Sequence, residues 1–138
     1  IAAMKHLGLK KIAVGGRWTD EFNQAVINYL EAGGIDVVGI TKRGQWGKEA
    51  FAMSFEQGLE LALEVGREAA RMAPDAEAIL VPGGATMSLH VIPAIEEEFG
   101  KPTFSRTSAE VWRNLVYPGI IPPVTGWGQL LACDKQLQ

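Results

Sequence analysis

Apolar residues fall along this chain in two rhythms: short continuous runs, and longer stretches in which they recur every three or four positions. The first rhythm reads as buried strands and the second as amphipathic helices. Their alternation predicts βα units around a parallel sheet. "KKIAVGG", Lys10 to Gly16, is the first strand, and "TDEFNQAVINYLEAGG", Thr19 to Gly34, a helix with Thr19 as N-cap, acids in its first turn and glycines as its stop. "DVVGI", Asp36 to Ile40, is the second strand, followed by a glycine-rich loop "TKRGQWGKEA". Ser54 and Gln57 form a capping box for a helix with apolar positions Phe55, Leu59, Ala62, Val65, Ala69 and Met72. The third strand is "EAILV", Glu77 to Val81, and its helix runs from about Thr86 to Phe99, closed by Gly100. "KPTFS" is the fourth strand. Thr107 and Glu110 make a second capping box, opening a helix that ends before Pro118. The remainder, "PGIIPPVTGWGQLLACDKQLQ", is too rich in proline and glycine for regular structure and reads as an arm. The expected fold is α/β, a Rossmann-like or flavodoxin-like three-layer sandwich with a four-stranded parallel sheet. Its expected boundaries are one domain over residues 1–117 and an arm over 118–138. The opening "IAAMKHLG" reads as the end of a helix, so the chain is expected to be a fragment or cleavage product.

Composition narrows the classes of partner. A chain of 138 residues, 47% of them hydrophobic, suffices for one domain that buries roughly 68–70% of its unfolded surface. The net charge of −3 comes from 13 basic and 16 acidic residues without a long block of either sign, so neither nucleic acid nor an anionic membrane is an expected partner. Cys133 is the sole cysteine and cannot close an internal disulfide; with two histidines it makes no zinc-binding spacing. No apolar run approaches the roughly 18 residues of a membrane span, and the first residues do not read as a signal peptide. The expectation is a cytoplasmic protein without metal or cofactor.

In an open parallel sheet, ligands bind outside the carboxyl ends of the strands. Three loops qualify: "GGRWT", "TKRGQWGKEA" and "PGGATMS". The third is the sharpest candidate, because glycines let the backbone approach a ligand and a helix start presents unpaired N–H groups. Gly83, Gly84, Ala85 and Thr86 could donate such groups to a carboxylate or an enolate; Pro82 cannot. The same glycines also suit a plain strand-to-helix turn. Trp18, at the mouth of the cleft, could stack on an organic substrate, donate its indole N–H, or pack on the neighbouring loop. Trp46 has the same dual reading, and Lys48 reads as a solvated loop charge. His90 lies on the polar side of its helix with Ala94 and Glu97 and is not taken as a base. Thr86 and Ser88 have no adjacent base to make them nucleophiles. Neither glycine loop completes G-x-x-x-x-G-K-[ST] or G-x-G-x-x-G, which weakens nucleotide binding.

Three segments carry a family resemblance: "LGLKKIAVGGRWTDEFNQAVINYLEAGGIDVVGI", "APDAEAILVPGGATMSLHVIPAIEEEFGKPTFSRTSAEVWRNL" and "GWGQLL". In their order and spacing the chain resembles the aspartate/glutamate racemase superfamily, in its arylmalonate decarboxylase and maleate cis-trans isomerase branch. The resemblance implies two pseudo-symmetric α/β domains with the active site between them, of which this chain is the second. It implies an isomerase, decarboxylase or racemase of a small carboxylic acid or dicarboxylate, with the catalytic cysteine, if any, in a missing N-terminal half. A companion domain, a homo-oligomer, or both are implied as partners, and the arm is implied to pack near the other domain. Trp18 matches the position where these relatives usually carry a tyrosine that bonds a substrate carboxylate; an indole can donate but not accept. Gly83 matches the position of the branch's second-half cysteine, and glycine cannot act as nucleophile or base. Gly84 to Thr86 match the anion-binding turn, and Cys133 does not match the catalytic position. The alternative is a non-catalytic carboxylate-binding or regulatory relative.

Overall fold

The computed structural model describes residues 1–83 and 87–133. Four strands, β1 (Lys11–Val14), β2 (Asp36–Ile40), β3 (Ala78–Leu80) and β4 (Thr103–Phe104), form one parallel sheet in the order β2-β1-β3-β4. Six α-helices accompany them among the described residues: α1 (Ala2–His6), α2 (Asp20–Ala32), α3 (Gly47–Phe51), α4 (Phe55–Met72), α5 (Ser88–Phe99) and α6 (Arg106–Val111). The fold is the α/β three-layer sandwich that the hydrophobic pattern predicts.

Strand alternation assigns the layers. Ile12 and Val14 of β1 point to one face, where they pack with Met4 of α1, Leu30 of α2, Trp112 and Val116. Ala13 of β1 and Ile79 of β3 point to the other, against Ala62, Val65 and Ala69 of α4 and Val91 and Ile95 of α5. The stripe expected on α4 holds in its middle, where Ala62, Val65 and Ala69 are buried, but Phe55 and Met72 at its ends are exposed.

Local signals act as read at three places. Thr19 Oγ1 accepts the Phe22 N–H, Ser54 and Gln57 exchange both bonds of a capping box, and Gly100 closes α5 in the left-handed conformation at φ 64°. Three expectations are corrected. The second capping box belongs to Ser105 and Ser108, not Thr107 and Glu110: Ser105 Oγ accepts the Ser108 N–H at 3.1 Å and Ser108 Oγ accepts the Ser105 N–H at 2.8 Å. The helix therefore starts directly after β4, and Glu110 pairs with Arg106 at 2.8 Å instead. The segment read as a loop over 41–50 contains the start of α3, whose first turn is held by the Glu49 carboxylate accepting the Trp46 N–H at 3.1 Å. Past Val111 the helix widens into a π turn, Trp112–Val116, that buries the Trp112 indole under α1.

Residues 118–133 contain no helix or strand, yet they are tied to the domain. Leu130 and Leu131 are buried, and Glu96 of α5 accepts the N–H groups of Thr103 and Gln129, each at 2.9 Å. One carboxylate thus joins β4 and the segment around Gln129 to the same helix.

Candidate functional site

The carboxyl ends of the four strands lead into the loops from which a site can be built. After β1 the chain passes through Gly15 and Gly16, both buried, to Arg17 and Trp18. A Cβ on Gly15 would lie 3.0 Å from the Val65 carbonyl and the Gly66 nitrogen of α4, so only glycine lets β1 end this close to that helix. Thr41, after β2, donates its hydroxyl to the Gly16 carbonyl at 2.6 Å, and Asn23 Nδ2 donates to the Thr41 carbonyl at 3.1 Å. The two loops are then zipped by backbone: Gly44 N–H to the Trp18 carbonyl at 3.0 Å and Gln45 N–H to the Arg17 carbonyl at 2.9 Å. Arg43 anchors the second loop to α4 through Glu64 at 2.8 Å and Glu68 at 2.6 Å. The bond to Glu68 is the main cause of a pKa raised above the ordinary arginine value. Arg17 and Trp18 are therefore held by main-chain bonds on a braced loop.

The loop after β1 borders an open cleft of about 480 Å³. Arg17, Trp18, Phe22, Phe51, Gly83 and Phe104 are among its lining residues. Trp18 and Gly83, the two family positions at which this chain departs from the residues the resemblance implies, line this one cleft. Trp18 is half-buried and packs on Phe22 with ring centroids 4.7 Å apart. Gly83 is buried, and Ser88 Oγ at the start of α5 donates to its carbonyl at 3.3 Å. Gly84, Ala85 and Thr86 lie outside the described residues.

The other candidates stand apart from the cleft. Trp46 is 57% exposed at the start of α3, Lys48 is exposed on that helix, and neither is among the lining residues. His90 is exposed and edge-on to Phe55 and Trp127, at 5.5 and 6.1 Å. Cys133 is half-buried with Sγ 3.3 Å from Nε2 of His6, and neither lines the cleft. Among the described residues no three His, Cys, Asp or Glu side chains gather as a metal site, and no helix is long and apolar enough to cross a membrane.

Arg17 was missed as a candidate by sequence reasoning. Its Nε and Nη1 are buried without a hydrogen-bond partner, its guanidinium lies 6.0 Å from the Trp18 ring centroid, and burial lowers its pKa. The signal in the sequence is a lone basic residue between a strand-end glycine pair and an aromatic residue in "GGRWT".

A parallel sheet with an apolar, cation-bearing cleft outside its strand ends is the architecture of α/β proteins that bind small molecules there. The chain belongs to the arylmalonate decarboxylase family, whose model matches residues 1–131. It is 27% identical over 109 residues to arylmalonate decarboxylase from Bordetella bronchiseptica, covering 79% of this chain and 44% of that protein. A crystal structure of arylmalonate decarboxylase superposes with a TM-score of 0.78 at 23% identity, over 94% of this chain and 56% of that one. The maleate isomerase from Pseudomonas putida S16, solved with maleate, gives 0.78 at 25% identity, over 95% and 51%. The chain thus spans about half the length of the relatives it matches.

Proposed function

We propose that this chain is the second half of a two-domain enzyme that isomerises, decarboxylates or racemises a small carboxylic acid or dicarboxylate. Residues 1–117 form its α/β domain and 118–138 an arm. The substrate carboxylate is held by backbone N–H groups of the Pro82–Thr86 turn, and Trp18 shapes the opposite wall. Gly83 carries no thiol, so a catalytic cysteine, if the reaction uses one, belongs to the companion half. The observation that carries this reading is a single cleft lined by both Trp18 and Gly83 in a chain of this family. Further support comes from Phe51, which lines the cleft while 81% exposed and so leaves an apolar ring for a companion half to cover. Backbone donors suit the chemistry, because a preorganised N–H at a developing enolate contributes about 3 kcal/mol in comparable sites.

A second reading, a non-catalytic carboxylate binder, is favoured by the same Gly83, since no side chain there can relay a proton. Incubating the full-length protein with maleate and with phenylmalonate, followed by proton NMR and calorimetry, separates the two. The enzyme reading expects turnover of at least one; binding without turnover selects the binder, and neither binding nor turnover overturns both.

A further inference from the structure

Arg17 is the one arginine whose buried donors stay open among the described residues. Arg43, Arg67, Arg71 and Arg106 each meet a carboxylate within 3.3 Å, and the exposed Arg113 guanidinium sits 4.8 Å from the Tyr117 ring centroid. Arg17 meets no acid there, and its Nε and Nη1 are buried without a hydrogen bond. Its loop is braced by the Gln45 N–H bond to its own carbonyl and by the Gly44 bond to the next one, so the backbone holds it in place. A guanidinium stays charged near neutrality, and once covered by protein it requires an acid.

The surroundings decide what brings that acid. Beyond Trp18 and Gly83 the cleft continues over three helices, lined by Ala3 and Met4 of α1, Val26 and Leu30 of α2 and Ala109 of α6. These side chains belong to the layer packed on Ile12 and Val14, so the apolar wall reaches from the strand ends across that layer. Phe22 and Phe51 line the cleft while exposed, and Tyr29, two turns along the same face of α2 as Phe22, is exposed as well. A contiguous apolar wall of this extent marks a protein–protein surface. Its charged side chains are Arg106, whose Nε donates to Glu110 at 2.8 Å, and Arg17. The relatives are about twice as long as this chain, and their second half is the protein segment available to cover it.

We infer that this groove seats the companion half, which inserts an aspartate or glutamate side chain to pair with Arg17. The inference rests on the two-domain reading above and adds the chemistry of the contact, an apolar segment that carries an acid. The carboxylate accepts from the open donors of the guanidinium, and apolar neighbours of that acid cover Val26 and Phe51. Arg17 is a latch between the halves and not a substrate contact, which leaves Trp18 and Gly83 at the strand ends for the ligand. Loss of the guanidinium strands the companion's acid without a partner, so the cost falls on the cohesion of the two halves.

Carbodiimide coupling tests the contact in the full-length protein, because it forms an amide only between an amine and a carboxylate that touch. In Arg17→Lys the amine introduced at position 17 is expected to couple to an aspartate or glutamate of the companion half, read by mass spectrometry of the tryptic peptides. Coupling to an acid of this half, or no coupling in the folded variant, overturns the pairing. A double-mutant cycle then reads its strength. Arg17→Gln is expected to raise the urea-unfolding constant about ten-fold or more, but about two-fold or less once the coupled acid is replaced by its amide. Equal effects in both backgrounds overturn the latch. Unchanged stability with lost maleate binding assigns Arg17 to the ligand and overturns it as well. Hydroxyl-radical labelling of Phe51 keeps the two readings apart. Protection of Phe51 in the full-length protein without coupling at position 17 removes the Arg17 pair and leaves the companion half docked, whereas labelling as fast as in free phenylalanine overturns both. If Arg17→Gln does not fold, as judged by circular dichroism, the coupling in Arg17→Lys decides.

Discussion

Gly15 shows at the scale of one residue how packing sets the site. It follows the last residue of β1, donates its N–H to the Leu80 carbonyl at 2.7 Å, and faces the backbone of α4 across a gap that no side chain fits. An alanine there gains about 0.4–1 kcal/mol from a stiffer unfolded chain. Against this, its methyl meets main-chain atoms at 3.0 Å, and main chain cannot rotate away. Overpacking of this kind costs about 1–3 kcal/mol, so the steric term wins. Gly15→Ala is therefore expected to destabilise the protein by about 1–2 kcal/mol in urea unfolding. Because the strain is relieved by shifting the end of β1, it should also weaken ligand binding through Trp18. An unfolding midpoint equal to or above wild type would show that α4 yields more easily than its contacts imply.

Capping decides where the last helix begins, and this is where local pattern and tertiary structure compete at the scale of the element. Thr107 and Glu110 satisfy the capping-box spacing, yet Ser105 caps, because β4 ends at Phe104 and the chain must turn into a helix while Ser105 is fully buried. A buried N–H there requires a partner at once, and Ser108 provides it. Ser105→Ala is accordingly expected to cost about 1–2 kcal/mol, at the upper side of cap deletions, since the Ser108 N–H it strands is also buried. Thr107→Ala should be near neutral. Thermal unfolding of the two variants checks this, and an equal loss in both would return the cap to Thr107. The same contrast explains what was legible in the sequence. The caps at Thr19 and Ser54 rest on bonds within three residues, and the long helices and the strands announce themselves by local apolar rhythm, so each is found where the pattern places it. Trp18 and Gly83 could be named from the sequence, but the single cleft they share could not, nor could the unpaired state of Arg17. Those depend on Gly15 meeting α4 and on bonds between residues 16–18 and 41–45, which no local rhythm encodes.

Seen whole, the parallel sheet has two unlike ends. The carboxyl ends of the strands open into the cleft, while the amino ends of β1 and β3 are clamped by a single side chain. Glu77, just before β3, accepts the N–H groups of Lys10 and Lys11 at 2.6 and 2.9 Å. Those backbone bonds, Lys10 first, hold its pKa below the ordinary glutamate value of about 4.3. A carboxylate with a depressed folded pKa contributes stability that is fully present above the unfolded value and is lost as pH falls through the folded one. Glu77→Gln keeps an acceptor oxygen but not the charge. Wild type should thus exceed Glu77→Gln in unfolding free energy by a constant amount near neutrality, and the gap should narrow below about pH 4 as the wild-type carboxyl protonates. Urea titrations of both proteins at several pH values measure this directly; a gap that stays constant into acid would mean that the carboxylate charge contributes nothing at the clamp. Because parallel strands put the clamp and the cleft at opposite ends of the sheet, the substitution should leave maleate affinity at neutral pH unchanged, so that acid sensitivity and ligand recognition move independently in this fold.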